Sequence, residues 1–180
     1  MTVTLRKIVF MAMMLLSASV FTQQLPSGWR LPRASELTDE ARASSPSRFS
    51  KAAGDFNGDA VTDIAFILKS NRFSGESLWV WLSQENGSHR WIKLESDKWT
   101  NGSPSEGLLM GVETQAPGVV SYVCFYTAPR ADCDYDPPGG FPKLKLRHES
   151  FSYFKPEIGG YLYFWSNKYQ RFLKVLNTIE

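Results

Sequence analysis

Apolar residues in this chain come in short runs set between turn-forming clusters, and the run-and-turn pattern predicts strands. Leu78-Trp79-Val80-Trp81-Leu82 and Arg90-Trp91-Ile92-Lys93-Leu94 flank Asn86-Gly87. That dipeptide favours the positive backbone angles of a tight hairpin turn. Leu108 to Thr114 and Val119 to Tyr126 form a second expected pair around Pro117-Gly118. Gly160-Tyr161-Leu162-Tyr163-Phe164-Trp165 and Gln170 to Leu176 form a third, around Ser166-Asn167-Lys168-Tyr169. Upstream, Leu25 to Ser50 contains a short helix pattern: Ser35 is placed to cap it, and Glu36, Asp39 and Glu40 load its first turns with negative charge. Ser45-Pro46 ends that segment, and Asp136-Pro137-Pro138-Gly139-Gly140 reads as a loop within the domain. The expected fold is mainly β over residues 23–180: a single domain with an antiparallel sheet, sandwich or barrel-like arrangement and a short N-terminal helix.

Side chains alternate along a strand, so Trp79 and Trp81 share one face while Leu78, Val80 and Leu82 share the other. Tyr161, Tyr163 and Trp165 likewise oppose Leu162 and Phe164. A strand apolar on both sides is either sandwiched inside the protein or exposes a binding surface. Together with Trp99, these five aromatic residues form the candidate partner surface, because Trp and Tyr combine large rigid area with a polar handle.

The N-terminus changes the picture of compartment and charge. Arg6 and Lys7 precede the apolar stretch Ile8 to Leu16, and Ser17-Ala18-Ser19 supplies small residues for cleavage after Ser19 or Thr22. This pattern predicts a secretory signal over 1–22, too short for a transmembrane helix. An uncleaved anchor is the alternative. The expected location is periplasmic or secreted. Lys and Arg total 20 against 18 acids, and loss of Arg6 and Lys7 leaves 18 against 18. A near-neutral mature chain gives no ground for a nucleic-acid partner. Cys124 and Cys133, an even pair in an exported chain, are expected to form a structural disulfide.

Asp55-Phe56-Asn57-Gly58-Asp59-Ala60-Val61-Thr62-Asp63 is the segment with a defined chemistry. Asp55, Asn57 and Asp59 alternate, Asp63 follows four residues on, and the Val61 carbonyl is placed to add a backbone oxygen. Calcium takes six to eight such oxygens. An EF-hand needs glutamate at the twelfth position, where Phe66 stands. The segment instead resembles the calcium loop of FG-GAP repeats, Asp-x-Asn-Gly-Asp-x-x-x-Asp, followed by an apolar strand as Ile64 to Leu68 is here. The resemblance implies calcium held by Asp55, Asn57, Asp59 and Asp63, with Gly58 as the turn glycine. Ala60 departs from it, since that position is often glycine; a positive φ there costs an alanine roughly 1 kcal/mol or more. An Asx-rich turn without metal is the alternative. The motif occurs once, so a full propeller is not expected.

Leu25-Pro26-Ser27-Gly28-Trp29-Arg30-Leu31-Pro32, Glu36-Leu37, the Asp55 loop and Phe73-Ser74-Gly75-Glu76-Ser77-Leu78-Trp79-Val80 together resemble a group of small exported bacterial proteins of unassigned function. His89 and His148 lack spaced zinc partners, and neither a nucleophile elbow nor a phosphate loop is present. Glu76, Glu106 and Glu113 are the acids a glycoside hydrolase would have to use. The expectation is a non-catalytic, calcium-stabilised module that binds another protein of the cell envelope, such as an immunity protein against an envelope-targeting toxin. The alternatives are a glycan or cell-wall binder using Trp79, Trp81 or Trp99, and an unrecognised hydrolase.

Overall fold

A computed structural model describes residues 24–99, 107–122 and 143–177. Cys124, Cys133, the loop 136–140, Glu106 and the expected signal segment 1–22 lie outside the described residues. The fold is mainly β and antiparallel, curled into a half-barrel, with no propeller. Six strands form one sheet: β1 (Trp29–Arg30), β2 (Lys51–Gly54), β3 (Asp63–Ser70), β4 (Gly75–Ser83), β5 (His89–Lys93) and β6 (Asp97–Lys98). Strands β3 and β4 are central; β1 and β2 both pair with β3, while β5 and β6 both pair with β4. The second sheet runs β12 (Arg171–Asn177), β11 (Gly159–Ser166), β10 (Ser150–Lys155), β7 (Gly111–Gln115). A separate pair joins β8 (Gly118–Ser121) to β9 (Lys143–Leu146).

The hairpins expected at Asn86-Gly87 and Ser166 to Tyr169 are both present, as β4–β5 and β11–β12. Gly87 takes φ +77°, which the turn requires. The pair expected around Pro117-Gly118 is not a hairpin: β7 pairs with β10, and β8 crosses to β9. The reason lies in the second sheet, which is apolar on both faces. Val112, Phe151, Tyr153, Tyr163 and Phe172 face the first sheet, whereas Leu162 and Val175 face away and need their own cover. Val120, Tyr122, Leu144 and Leu146 supply it.

The N-terminal helix pattern resolves into two three-residue 3-10 turns, Ala34–Glu36 and Glu40–Arg42. Asp39 rather than Ser35 caps the second, accepting from the Ala41 N–H at 3.0 Å. Glu36 is drawn instead to Arg30, whose two guanidinium nitrogens meet its carboxylate oxygens at 2.7 Å each. That hydrogen-bonded pair, opposed by burial, holds the Glu36 carboxyl down at about 2 against an ordinary 4.5. A depressed folded-state value stabilises the fold above pH 4.5, and the contribution disappears as pH falls through about 2. Urea midpoints measured across that window are expected to fall less steeply in Glu36→Gln than in the wild type.

The core lies between the sheets, where Ala65, Ile67, Leu78, Val80 and Leu82 meet Val112, Phe151 and Tyr163. Hydrogen bonds close both sides of the half-barrel. On one side Val112 donates to the Phe49 carbonyl and Thr114 Oγ1 to the Ala53 carbonyl, each at 2.9 Å. On the other, the Tyr153 hydroxyl donates to Asp97 at 2.8 Å, and the Tyr163 hydroxyl and Lys174 ammonium donate to Glu95. No helix among the described residues is long and apolar enough to cross a membrane.

Candidate metal centre and aromatic faces

The loop 55–63 joins β2 to β3 as a self-bonded turn. Asp55 is its hub: one carboxylate oxygen accepts the Gly58 and Asp59 N–H groups at 2.7 and 3.0 Å, and the other accepts Ala60 N–H at 2.9 Å. Asp59 accepts from Val61 N–H at 2.9 Å and from the Asn57 side-chain amide at 3.0 Å. Gly58 has φ +81° and Ala60 φ +63°, so the position where alanine replaces the usual glycine is indeed left-handed.

Between the alternating polar residues, Phe56 points the other way and is fully buried, its ring 4.9 Å from that of Phe151. Asp63 is also fully buried and ties the loop to two neighbours, accepting Phe56 N–H at 3.1 Å and Ser83 N–H at 2.8 Å. Burial pushes its carboxyl up to about 6; those two hydrogen bonds pull it down, and the charges of Asp59 and Asp55 push it up again. The three acids therefore sense one another across the loop.

Two residues from the far end of the chain complete the bracing. Glu149 accepts the Asp55 N–H at 2.8 Å. The His148 ring lies against Gly58 so closely that a Cβ there would sit 2.3 Å from it. Neither role is visible in the sequence, because an acid and a histidine 90 or so positions away carry no local signal.

The donor set is all oxygen, three carboxylates and one amide with mutual repulsion to relieve, and this chemistry fits a hard divalent cation. Among the described residues, no three Asp, Glu, His or Cys side chains already converge as a metal cage. The loop's acids face its own N–H groups instead.

The two aromatic sets have different surroundings. Tyr163 is buried in the core, and Tyr161 and Trp165 pack against that core partly buried. Tyr161 and Tyr163 are sandwiched side chains rather than an open platform, because their face of β11 is turned toward the first sheet, while Trp165 near the strand's end also lines two surface hollows. Trp79 and Trp81 lie on the face of β4 opposite the core residues Leu78, Val80 and Leu82, half-buried and not covered by a second sheet. Their rings cover one another: Trp79 meets Trp29 at 5.8 Å and Trp91 at 6.3 Å, and Trp81 meets Trp91 at 4.9 Å. His89 stacks on Trp81 at 3.9 Å and Lys93 lies over Trp29 and Trp79. Trp99 sits apart from this cluster, with the Lys69 ammonium 4.2 Å from its ring centre.

Of the acids considered for hydrolysis, Glu76 is fully buried and accepts the Met110 and Leu109 N–H groups at 2.7 and 3.1 Å, while Glu113 is exposed on β7. Comparison with family models, with curated proteins and with solved structures finds no match.

Proposed function

We propose that this chain is an exported, non-catalytic module that binds another protein of the cell envelope and is stabilised by calcium. The ion's ligands are Asp55, Asn57, Asp59, the Val61 carbonyl and Asp63. Bound there, calcium supplies the positive charge that relieves repulsion among the three acids. An immunity protein that blocks an envelope-targeting toxin is the kind of role this module fills.

The observation that carries the binding reading is the outward aromatic cluster of Trp29, Trp79, Trp81 and Trp91 on the first sheet. Edge-to-face packing fixes these rings before any partner arrives, so little side-chain freedom is lost on association. Trp-rich patches of this kind concentrate binding energy at protein interfaces. The same mutual covering argues against flat sugar stacking on Trp79, and the Lys69 ammonium takes the face of Trp99.

The test is affinity capture from an envelope extract with the wild type and with Trp81→Glu. The expected result is one stoichiometric protein partner retained by the wild type and lost from the variant, with the circular dichroism spectrum unchanged. Equal recovery on both proteins would move the interface elsewhere; absence of any partner would refute the reading.

A further inference from the structure

At the mouth of the half-barrel, the 55–63 loop, the β4–β5 hairpin and the β11–β12 turn enclose an open cleft of about 420 Å³. That size lies within the ~300–1,000 Å³ of small-ligand sites. Half-buried Trp165 gives it an apolar wall, Asn86, Arg90, Asn167 and Gln170 give it polar ones, and the loop residues Asn57 and Asp59 also line it. Trp165 is held by Phe172, with ring centres 5.2 Å apart at 75°, so its position is set by the core. The β11–β12 turn is equally fixed. Gln170 sits at φ +50°, its N–H donates to the Ser166 carbonyl at 2.7 Å, and its side-chain amide donates to the Asn167 carbonyl at 2.9 Å.

We propose that this cleft binds a neutral saccharide. A sugar ring presents an apolar C–H face and a rim of hydroxyls that each donate and accept. The cleft offers both: part of the Trp165 indole for the face, and around it the side-chain amides of Asn86, Asn167 and Gln170, which donate and accept, and the Arg90 guanidinium, which donates. With Asp59 committed to the metal loop, Glu85 balances Arg90, which leaves no excess positive charge for a phosphate or sulfate. The contrast lies across Trp165, where a neighbouring hollow of about 450 Å³ carries Lys143, Lys145, Arg147 and His148 against Glu149. The proposal goes beyond the protein-binding reading and does not depend on the aromatic cluster of the first sheet.

Saturation-transfer NMR on the mature chain, with tri-N-acetylchitotriose, cellotriose and maltotriose as neutral probes and a sulfated disaccharide as the anionic one, tests it. At least one neutral trisaccharide is expected to bind. Arg90→Ala, at an exposed position, is expected to weaken it roughly tenfold, and Gln170→Ala likewise, with the melting midpoint of each variant checked because Gln170 also holds the β11–β12 turn. Trp165→Phe, which keeps the contact with Phe172, is expected to weaken it as well. Failure of all three neutral probes, binding unaffected by Arg90→Ala and Gln170→Ala, or preference for the sulfated probe would each overturn the proposal.

Discussion

Glu76→Ala is expected to lower the thermal midpoint more than any substitution on the outer surface, by roughly 6–20 °C. The side chain is fully buried beside two cations that are themselves buried, Arg42 and Lys69. Arg42 spends its guanidinium on the carbonyls of Arg48, Leu108 and Met110, and Lys69 donates to the Gly107 carbonyl. The carboxylate is the charge that balances both, while it also holds the Leu109 and Met110 N–H groups. Removing it leaves two buried amides without their acceptor and takes one negative charge from the field around Arg42 and Lys69, which keep their carbonyl partners. Two buried donors left unsatisfied, at about 1–3 kcal/mol each, together with the weakened attraction to both cations, cost about 3–5 kcal/mol. For a chain of this size each kcal/mol moves the midpoint by about 2–4 °C. Glu76→Gln keeps an acceptor for one amide and is expected to lose less. A midpoint for Glu76→Ala within about a degree of the wild type would mean that the carboxylate does not balance Arg42 and Lys69.

Two of the three expected hairpins were legible because their turns are local chemistry. Asn86-Gly87 and Ser166 to Tyr169 each bring neighbouring strands together without help from the rest of the chain. The pairing around Pro117-Gly118 was not legible, since it depends on a distant demand: Leu162 and Val175 needed cover on the outer face of the second sheet. The aromatic strands show the same limit. Apolar residues on both sides of β4 and β11 read alike in sequence, yet β11 is covered on both faces and β4 on one. In the loop, the left-handed Ala60 stands where the calcium loops it resembles often carry glycine. The contributions of Glu149 and His148 did not, because they reach the loop only through tertiary folding. The short helix became two 3-10 turns once Arg30 claimed Glu36.

Calcium is expected to raise the midpoint by roughly 5–11 °C when its concentration is a hundred times the dissociation constant. A ligand bound only to the folded state stabilises it by about 2.7 kcal/mol at that excess. Asp63 adds a pH signature. Its folded-state carboxyl is raised from 3.8 to about 6, so the stability it contributes is present below 3.8 and is lost as pH rises through about 6. The calcium-free protein therefore carries a penalty above about pH 6 that the ion relieves, and the calcium-dependent shift is expected to be larger at neutral pH than in mild acid. Asp55→Ala is a poor discriminator because it also removes the acceptor for three backbone N–H groups. Asp59→Asn is the better one: it keeps an oxygen for the Val61 N–H and removes, besides the charge, only the acceptor for the Asn57 side-chain amide.

The most direct measurement is the melting temperature of residues 23–180 in EDTA and across a calcium titration, run in parallel for the wild type and Asp59→Asn. A saturable rise in the wild type that is largely abolished in Asp59→Asn is the result expected if the loop is a structural calcium site. No rise in the wild type, or an equal rise in both proteins, would reduce residues 55–63 to a metal-free Asx turn and contradict the account.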